Sequence, residues 1–160
     1  MKINLDHVNN EPSKGYVSVS LAYHQCDLIR EILEQQAITP IDEGKFHCTI
    51  AYDRDLSSTL EIDIDPGRVY TGEVIGVELL GDVKDGLQSA VALTFKSPEL
   101  TEEHFRWMAV GFDHSWPEYI PHMSVAYDVP VEEAERLVDI LQIFVGQTFY
   151  FDDLSAEPVK

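Results

Sequence analysis

Two short segments carry the residues best suited to proton transfer. His47-Cys48-Thr49 lies in FHCTIAYD, and His122-Met123-Ser124 lies in PHMSVAYD. Both read His-x-Thr/Ser, followed by an apolar run that ends in Tyr-Asp, with one copy in each half of the 160-residue chain. Imidazole titrates near neutrality, so one histidine can accept a proton while another donates one. Cleaving a phosphodiester needs both acts, because the nucleophile loses a proton and the leaving oxygen gains one. Residues i and i+2 of a strand point the same way, roughly 6 to 7 Å apart. A hydroxyl there can donate to a non-bridging phosphoryl oxygen while the imidazole reaches a bridging one, so Thr49 and Ser124 are suited to hold the charge on phosphorus. One His-x-Thr in a strand is ordinary packing. The recurrence of histidine and hydroxyl together, with matching IAY and VAY tails, points to catalysis by His47, Thr49, His122 and Ser124.

Around these motifs the signals are weaker. Trp116 and Tyr119 precede His122 in an expected loop, where aromatics could stack on a base, and Tyr16 has a similar claim from an N-terminal strand. Loop aromatics also pack on themselves. Lys14, Lys45 and Arg54 are the cations nearest the first motif, although solvent exposure is the commoner fate of such side chains. His104 is expected on a helix and His114 in a loop, both in ordinary surface roles, while His7 and His24 carry little signal. No Cys/His cluster has zinc-site spacing and no HExxH occurs, so metal-independent chemistry without a cofactor is expected.

The elements that position the motifs can be read from periodicity. Tyr16 to Ala22 alternates as a half-buried strand. From Cys26 the period becomes helical through Leu28, Ile29, Ile32 and Leu33, and Pro40 and Gly44 end that element. His47 to Tyr52 reads as a strand with His47, Thr49 and Ala51 on one face and Cys48, Ile50 and Tyr52 on the other. Val69 to Leu80, a polar turn over Asp82 to Gly86, and Ser89 to Phe95 read as a hairpin. Thr101 is the expected N-cap of a helix reaching about Met108. A loop covers Asp113 to Pro121, and the second motif forms a strand from His122 to Tyr127. A helix from about Val131 to Phe144 and a strand from Thr148 to Leu154 close the chain. This mixed order predicts an α+β fold. If its two halves are similar lobes, the motif strands lie side by side and their His faces line one cleft.

Composition bounds the partners. The formal charge is −18, from 29 acidic against 11 basic residues. Such a field disfavours long nucleic acid and anionic membrane, since tight backbone binding needs many Lys or Arg contacts. A small anion in a local pocket remains compatible with it. Cys26 and Cys48, in apolar contexts, are expected to be buried free thiols. With no basic-then-apolar leader and no apolar run near 18 residues, a soluble cytoplasmic protein is expected.

The paired motifs resemble the 2H phosphoesterase superfamily, whose members include RNA 2',3'-cyclic phosphodiesterases. The resemblance covers nearly the whole chain and implies one domain over residues 1–160, an α+β fold with two pseudo-symmetric lobes around a central cleft. It matches His47 with Thr49 and His122 with Ser124, where serine stands for the commoner threonine and keeps the hydroxyl. It also implies metal-independent action. The segments GYVSVS, FHCTIAYDR and HSWPEYIPHMSVAY are further similar to phage anti-CBASS cyclic-oligonucleotide phosphodiesterases. That likeness implies cleavage of 3'–5' bonds in cyclic di- or trinucleotide messengers of bacterial antiviral defence, inside an infected host. Three other readings stand beside it: an enzyme of RNA 2',3'-cyclic ends or 2'–5' linkages, a cyclic-nucleotide binder that does not cleave, and a structural protein with a relic site. Base preference, ring size, oligomeric state and the assignment of acid and base stay open.

Overall fold

A computed structural model describes residues 2–4, 14–39, 46–53, 61–112 and 118–159. In chain order the elements are β1 (Lys2–Asn4), β2 (Lys14–Leu21), α1 (Tyr23–Gln35), β3 (His47–Asp53), β4 (Glu61–Asp63), β5 (Tyr70–Lys84), β6 (Leu87–Lys96), α2 (Pro98–Ala109), β7 (His122–Pro130), α3 (Val131–Leu141) and β8 (Thr148–Val159), with a 3-10 turn at Gln142–Phe144. Six strands form one antiparallel sheet in the order β3-β2-β8-β5-β6-β7, and β1 pairs separately with β4. The fold is α+β, as the mixed order of elements predicts. The sequence gives no sign of the β1–β4 pair, because three-residue strands carry no readable alternation.

Period-two patterning explains β2. Val17, Val19 and Leu21 are buried in the apolar core, while Ser18 and Ser20 sit on the other face. Helix α1 buries Cys26, Ile29 and Leu33 at helical spacing. The Gln25 side chain fastens this helix to β8: its amide donates to the Thr148 carbonyl at 3.0 Å and accepts from the Tyr150 N–H at 2.9 Å. Helix α3 buries Ala134, Leu137 and Leu141, and Phe144 continues that stripe from the 3-10 turn.

Three local expectations need correction. The N-cap of α2 is Ser97 rather than Thr101: Ser97 Oγ accepts from Leu100 N–H at 3.1 Å and donates to the Thr71 carbonyl at 2.6 Å. Pro98 is tolerated in the first turn because its missing N–H would have no helical partner there. The hairpin turn is tighter than the polar run suggests. Strand β5 continues to Lys84, and Asp85-Gly86 makes the turn with both residues at positive φ, the two-residue geometry that matches strand twist.

The third correction concerns β3. Val17 pairs with Ala51 but Ser18 pairs with Thr49, so Ile50 is an extra residue in the strand. This β-bulge shifts the alternation: Ile50 and Ala51 are both fully buried, and Tyr52, not Ala51, shares partial exposure with His47 and Thr49. Strand β7 repeats the device. Val91 pairs with Ala126 and Ala92 with Ser124, leaving Val125 extra, and Val125 and Ala126 are both buried. The matching Ile-Ala and Val-Ala tails are therefore the two bulges.

The motif strands β3 and β7 occupy opposite ends of the hydrogen-bonded order, yet they pack against each other. The sheet curls until its edges meet, a bend that bulges favour. Helix α2 packs on β3 and β5, and α3 on β5, β6 and β7. Among the described residues no helix is long and apolar enough to cross a membrane.

Ser97 is 3% exposed and joins α2 to β5 through its hydroxyl. Ser97→Ala should cost about 1 to 2 kcal/mol in chemical denaturation, whereas Thr101→Ala should cost less, since Thr101 is not the cap. Equal costs would count against this helix start.

Candidate active site

Each motif histidine lies beside a hydroxyl on its neighbouring strand. His47 pairs with Ser20 of β2, and Ser20 Oγ is 3.2 Å from His47 Nδ1. His122 pairs with Thr94 of β6. Directly opposed residues in an antiparallel pair share a face, so this face carries Ser18, Ser20, His47 and Thr49 from the first half and Thr94, His122 and Ser124 from the second. Ser18, Ser20 and Thr94 are buried, and the four motif side chains are half-buried. Gly76, opposite Thr94, leaves room here, since a Cβ at that position would lie 3.1 Å from Thr94 Oγ1.

The second ring nitrogen of each histidine matters as much as the first. His122 Nδ1 lies 2.9 Å from the carbonyl of Ile120. A carbonyl can only accept, so Nδ1 carries a proton, and a neutral His122 presents its lone pair at Nε2. Ser20 can donate to or accept from His47 Nδ1, so the hydroxyl suits either protonation state of His47.

Tyr16 and Tyr119 both converge on Thr49. The Tyr16 hydroxyl is 3.1 Å from Thr49 Oγ1, and its ring meets Tyr52 edge to face at 6.3 Å. Burial raises the Tyr16 phenol above its ordinary pKa, and the bond with Thr49 works in the opposite sense. If the phenol donates, the threonine hydroxyl can direct its own proton elsewhere. Tyr119 donates to the backbone carbonyl of Thr49 at 2.8 Å. One face of its ring is stacked on His104, with centroids 4.0 Å apart and planes within 5°. Burial is the main cause of the strongly raised Tyr119 phenol pKa.

His104 departs from its expected surface role. It is 4% exposed, and its Nδ1–H donates to the Ile50 carbonyl at 2.7 Å. Burial lowers its pKa, with the bond to Ile50 pulling the other way. Its spacing on an amphipathic helix could have suggested burial, but no sequence signal pairs it with Tyr119. Ser20 and Thr94 carry no signal in the sequence, because their relevance depends on strand register. Trp116, His114, Lys45, Arg54 and His7 lie outside the described residues, as does the 113–117 part of the expected aromatic loop. Lys14 begins β2, and His24 is exposed on α1.

Cys48, between His47 and Thr49, points into the core and is fully buried. The His122 backbone hydrogen-bonds its sulfur, and the Tyr119 hydroxyl lies against it. Burial dominates these contacts and pushes the thiol pKa up to about 12, so it stays protonated at neutral pH and is no nucleophile. Cys26 is likewise a buried free thiol. Among the described residues, no group of three or more His, Cys, Asp or Glu side chains is arranged to hold a metal ion.

Residues 13–158 match the family model described as anti-CBASS protein Acb1. The chain belongs to the Acb1 anti-CBASS family. It is 34% identical over 121 residues to the anti-CBASS protein Acb1 of Vibrio phage KVP40, covering 74% of this chain and 75% of that protein. It is 29% identical over 125 residues to an anti-CBASS protein Acb1 of Caulobacter sp. (strain RHG1), where the match spans only 19% of the longer relative. The Acb1 match includes both bulged strands and the segment that carries Tyr119.

Burial of the two thiols has a direct test. Neither cysteine should be alkylated by iodoacetamide in the native protein at mildly alkaline pH, under conditions that label the denatured chain completely. Rapid native labelling at Cys48 would show that the motif strand opens to solvent and that the thiol is reactive.

Proposed function

We propose that this Acb1 family member is a metal-independent phosphodiesterase that cleaves 3'–5' bonds in cyclic di- or trinucleotide messengers, and so counters CBASS defence in the cytoplasm of an infected bacterium. The observation that carries this reading is the contact between β3 and β7, in a chain of this family, with a His and a hydroxyl on each strand. We read residues 1–160 as one domain in which β3-β2-β8 and β7-β6-β5 are two pseudo-symmetric lobes and the motif face is the cleft between them.

In this mechanism the substrate supplies its nucleophile. A ribose 2'-hydroxyl attacks the adjacent phosphorus, forming a 2'-O–P bond as the P–O5' bond breaks. His122 takes the 2'-proton on Nε2, because its Nδ1 proton is committed to Ile120. His47, protonated and with Nδ1 against Ser20, gives a proton to the departing 5'-oxygen. Thr49 and Ser124 hold the phosphoryl oxygens, with Tyr16 orienting the Thr49 hydroxyl. The product is linear with a 2',3'-cyclic phosphate, open to further hydrolysis by water. Tyr16 and Trp116 are proposed to meet the bases. Tyr119 contributes only the ring face turned away from His104.

His47→Ala and His122→Ala should each lower turnover by roughly 10²-fold or more while substrate binding largely survives. Thr49→Ala and Ser124→Ala should each cost less, since one phosphoryl contact is lost and proton transfer remains. A substrate with sulfur in place of the bridging 5'-oxygen leaves without protonation, so it should rescue His47→Ala but not His122→Ala. The reverse pattern would exchange acid and base.

The ribose requirement and metal independence are tested with a panel of cyclic di- and trinucleotides in excess EDTA. Cyclic ribonucleotides should be cut, while all-deoxy analogues should bind and stay whole, because internal attack avoids most of the entropic cost of recruiting water. Cleavage of the deoxy compounds would mean direct attack by water. Loss of activity on chelation, restored by one divalent ion, would refute the metal-independent mechanism. Intact ribonucleotide after binding would identify a sponge, and cleavage confined to 2',3'-cyclic RNA ends would identify an RNA-end enzyme.

A further inference from the structure

Two consecutive carbonyls at the bulge of β3 are bonded from the second half of the chain. Thr49 O accepts from Tyr119 at 2.8 Å, and Ile50 O accepts from His104 Nδ1 at 2.7 Å, while the Tyr119 and His104 rings stack face to face. We infer that His104 and Tyr119 are positioning residues, a stacked brace that fixes how the His122 ring is presented to the first motif. This inference rests on the catalytic reading proposed above.

The connection is short. Only Ile120 and Pro121 separate Tyr119 from His122. Ile120 supplies the carbonyl that holds His122 Nδ1, and the carbonyl of Pro121 accepts from Phe95 N–H of β6 at 2.9 Å. Proline fixes its own φ and restrains the residue before it, so Ile120 has little freedom between these anchors. Movement of Tyr119 relative to Thr49 therefore moves the Ile120 carbonyl, and with it the bond that selects the His122 tautomer. His104 limits that movement twice. Its ring covers one face of Tyr119, and its Nδ1–H is committed to the next carbonyl of β3. An apolar residue at position 104 could fill the space but would leave the Ile50 carbonyl short of a donor. Neither side chain needs to touch the scissile phosphate. Their effect is on geometry, where displacements near 1 Å are costly.

The test uses Tyr119→Phe, which keeps the ring and loses the hydroxyl, together with His104→Leu and His104→Asn. The asparagine amide restores a short N–H donor. Ring-nitrogen NMR of His122 is recorded for each protein, and cleavage of a cyclic ribodinucleotide is measured alongside. In the wild type, neutral His122 should be a single Nδ1–H tautomer. In Tyr119→Phe and His104→Leu it should become a mixture, with kcat lower by roughly 10- to 100-fold and KM changed by less than about threefold. His104→Asn should recover part of both readouts. A His122 spectrum and kcat unchanged in Tyr119→Phe, or a rise in KM alone, would overturn the inference. Should His104→Leu fail to fold, Tyr119→Phe decides. The ring spectrum needs no turnover, so a wild-type protein inactive on every cyclic ribonucleotide would sink the catalytic reading, while the spectra still decide the brace.

Discussion

The juxtaposition of the two motifs depends on an interlock between the two ends of one sheet. Strands β3 and β7 are the outermost members of the hydrogen-bonded order, and the sheet ladder alone does not join them. The consecutive carbonyls of Thr49 and Ile50 instead accept bonds from the second half, from the Tyr119 hydroxyl and the His104 ring. Each bond is worth only about 1 kcal/mol net, but a buried acceptor left unmet costs more. The interlock therefore acts mainly by penalising separation of the motifs. An edge strand that would otherwise expose backbone groups is covered in the same step.

The bulges reconcile two demands on the motif strands. A regular strand carrying His47 and Thr49 on the motif face would also turn Ala51 there and leave Tyr52 in the core. The extra residue lets Ile50 and Ala51 both pack inward and returns Tyr52 to the side of Thr49, where it meets Tyr16. Repetition at Val125 shows that the same solution serves both halves. The sharper bend follows from the same unpaired residue, so the spacing that buries the tails also helps bring the histidines' strands together.

Much of this was legible before any coordinates. The duplicated His-x-Thr/Ser unit, the α+β order, the buried thiols and the amphipathic stripes of α1 and α3 all rest on local patterns of type and spacing. What escaped was set by pairing between distant strands. Ser20 becomes a partner of His47 only once β2 and β3 are in register, and the burial of His104 requires α2 to lie over β3. The shifted phase at Ala51 shows the limit most clearly: alternation is a property of an unbulged strand, and nothing within FHCTIAYD marks where the extra residue falls. The sequence hides the Ser97 cap for a different reason, because Thr101 followed by two glutamates offers an equally sound start on local grounds.

The large negative charge constrains how any phosphate is held. An anion approaching a chain of charge −18 gains little from the global field, but that field is screened beyond about 8 Å at physiological ionic strength. Binding must then come from donors at contact distance. Among the described residues the motif face offers hydroxyls and imidazoles, with Lys96 two residues along β6 from Thr94. Of the described arginines, Arg106 is engaged by buried Glu103 at 2.6 Å, Arg68 lies over the Tyr70 ring, Arg30 lies over the Phe46 ring, and Arg136 is exposed on α3. A long polyanion would extend past the donors onto an acidic surface and lose at every additional phosphate. A cyclic di- or trinucleotide has few phosphates and no ends, so it can present one of them to the hydroxyls without draping the rest across that surface. With 29 acidic against 11 basic residues, the charge balance of the whole chain thus weighs against polymeric polyanions without any contact that reads length.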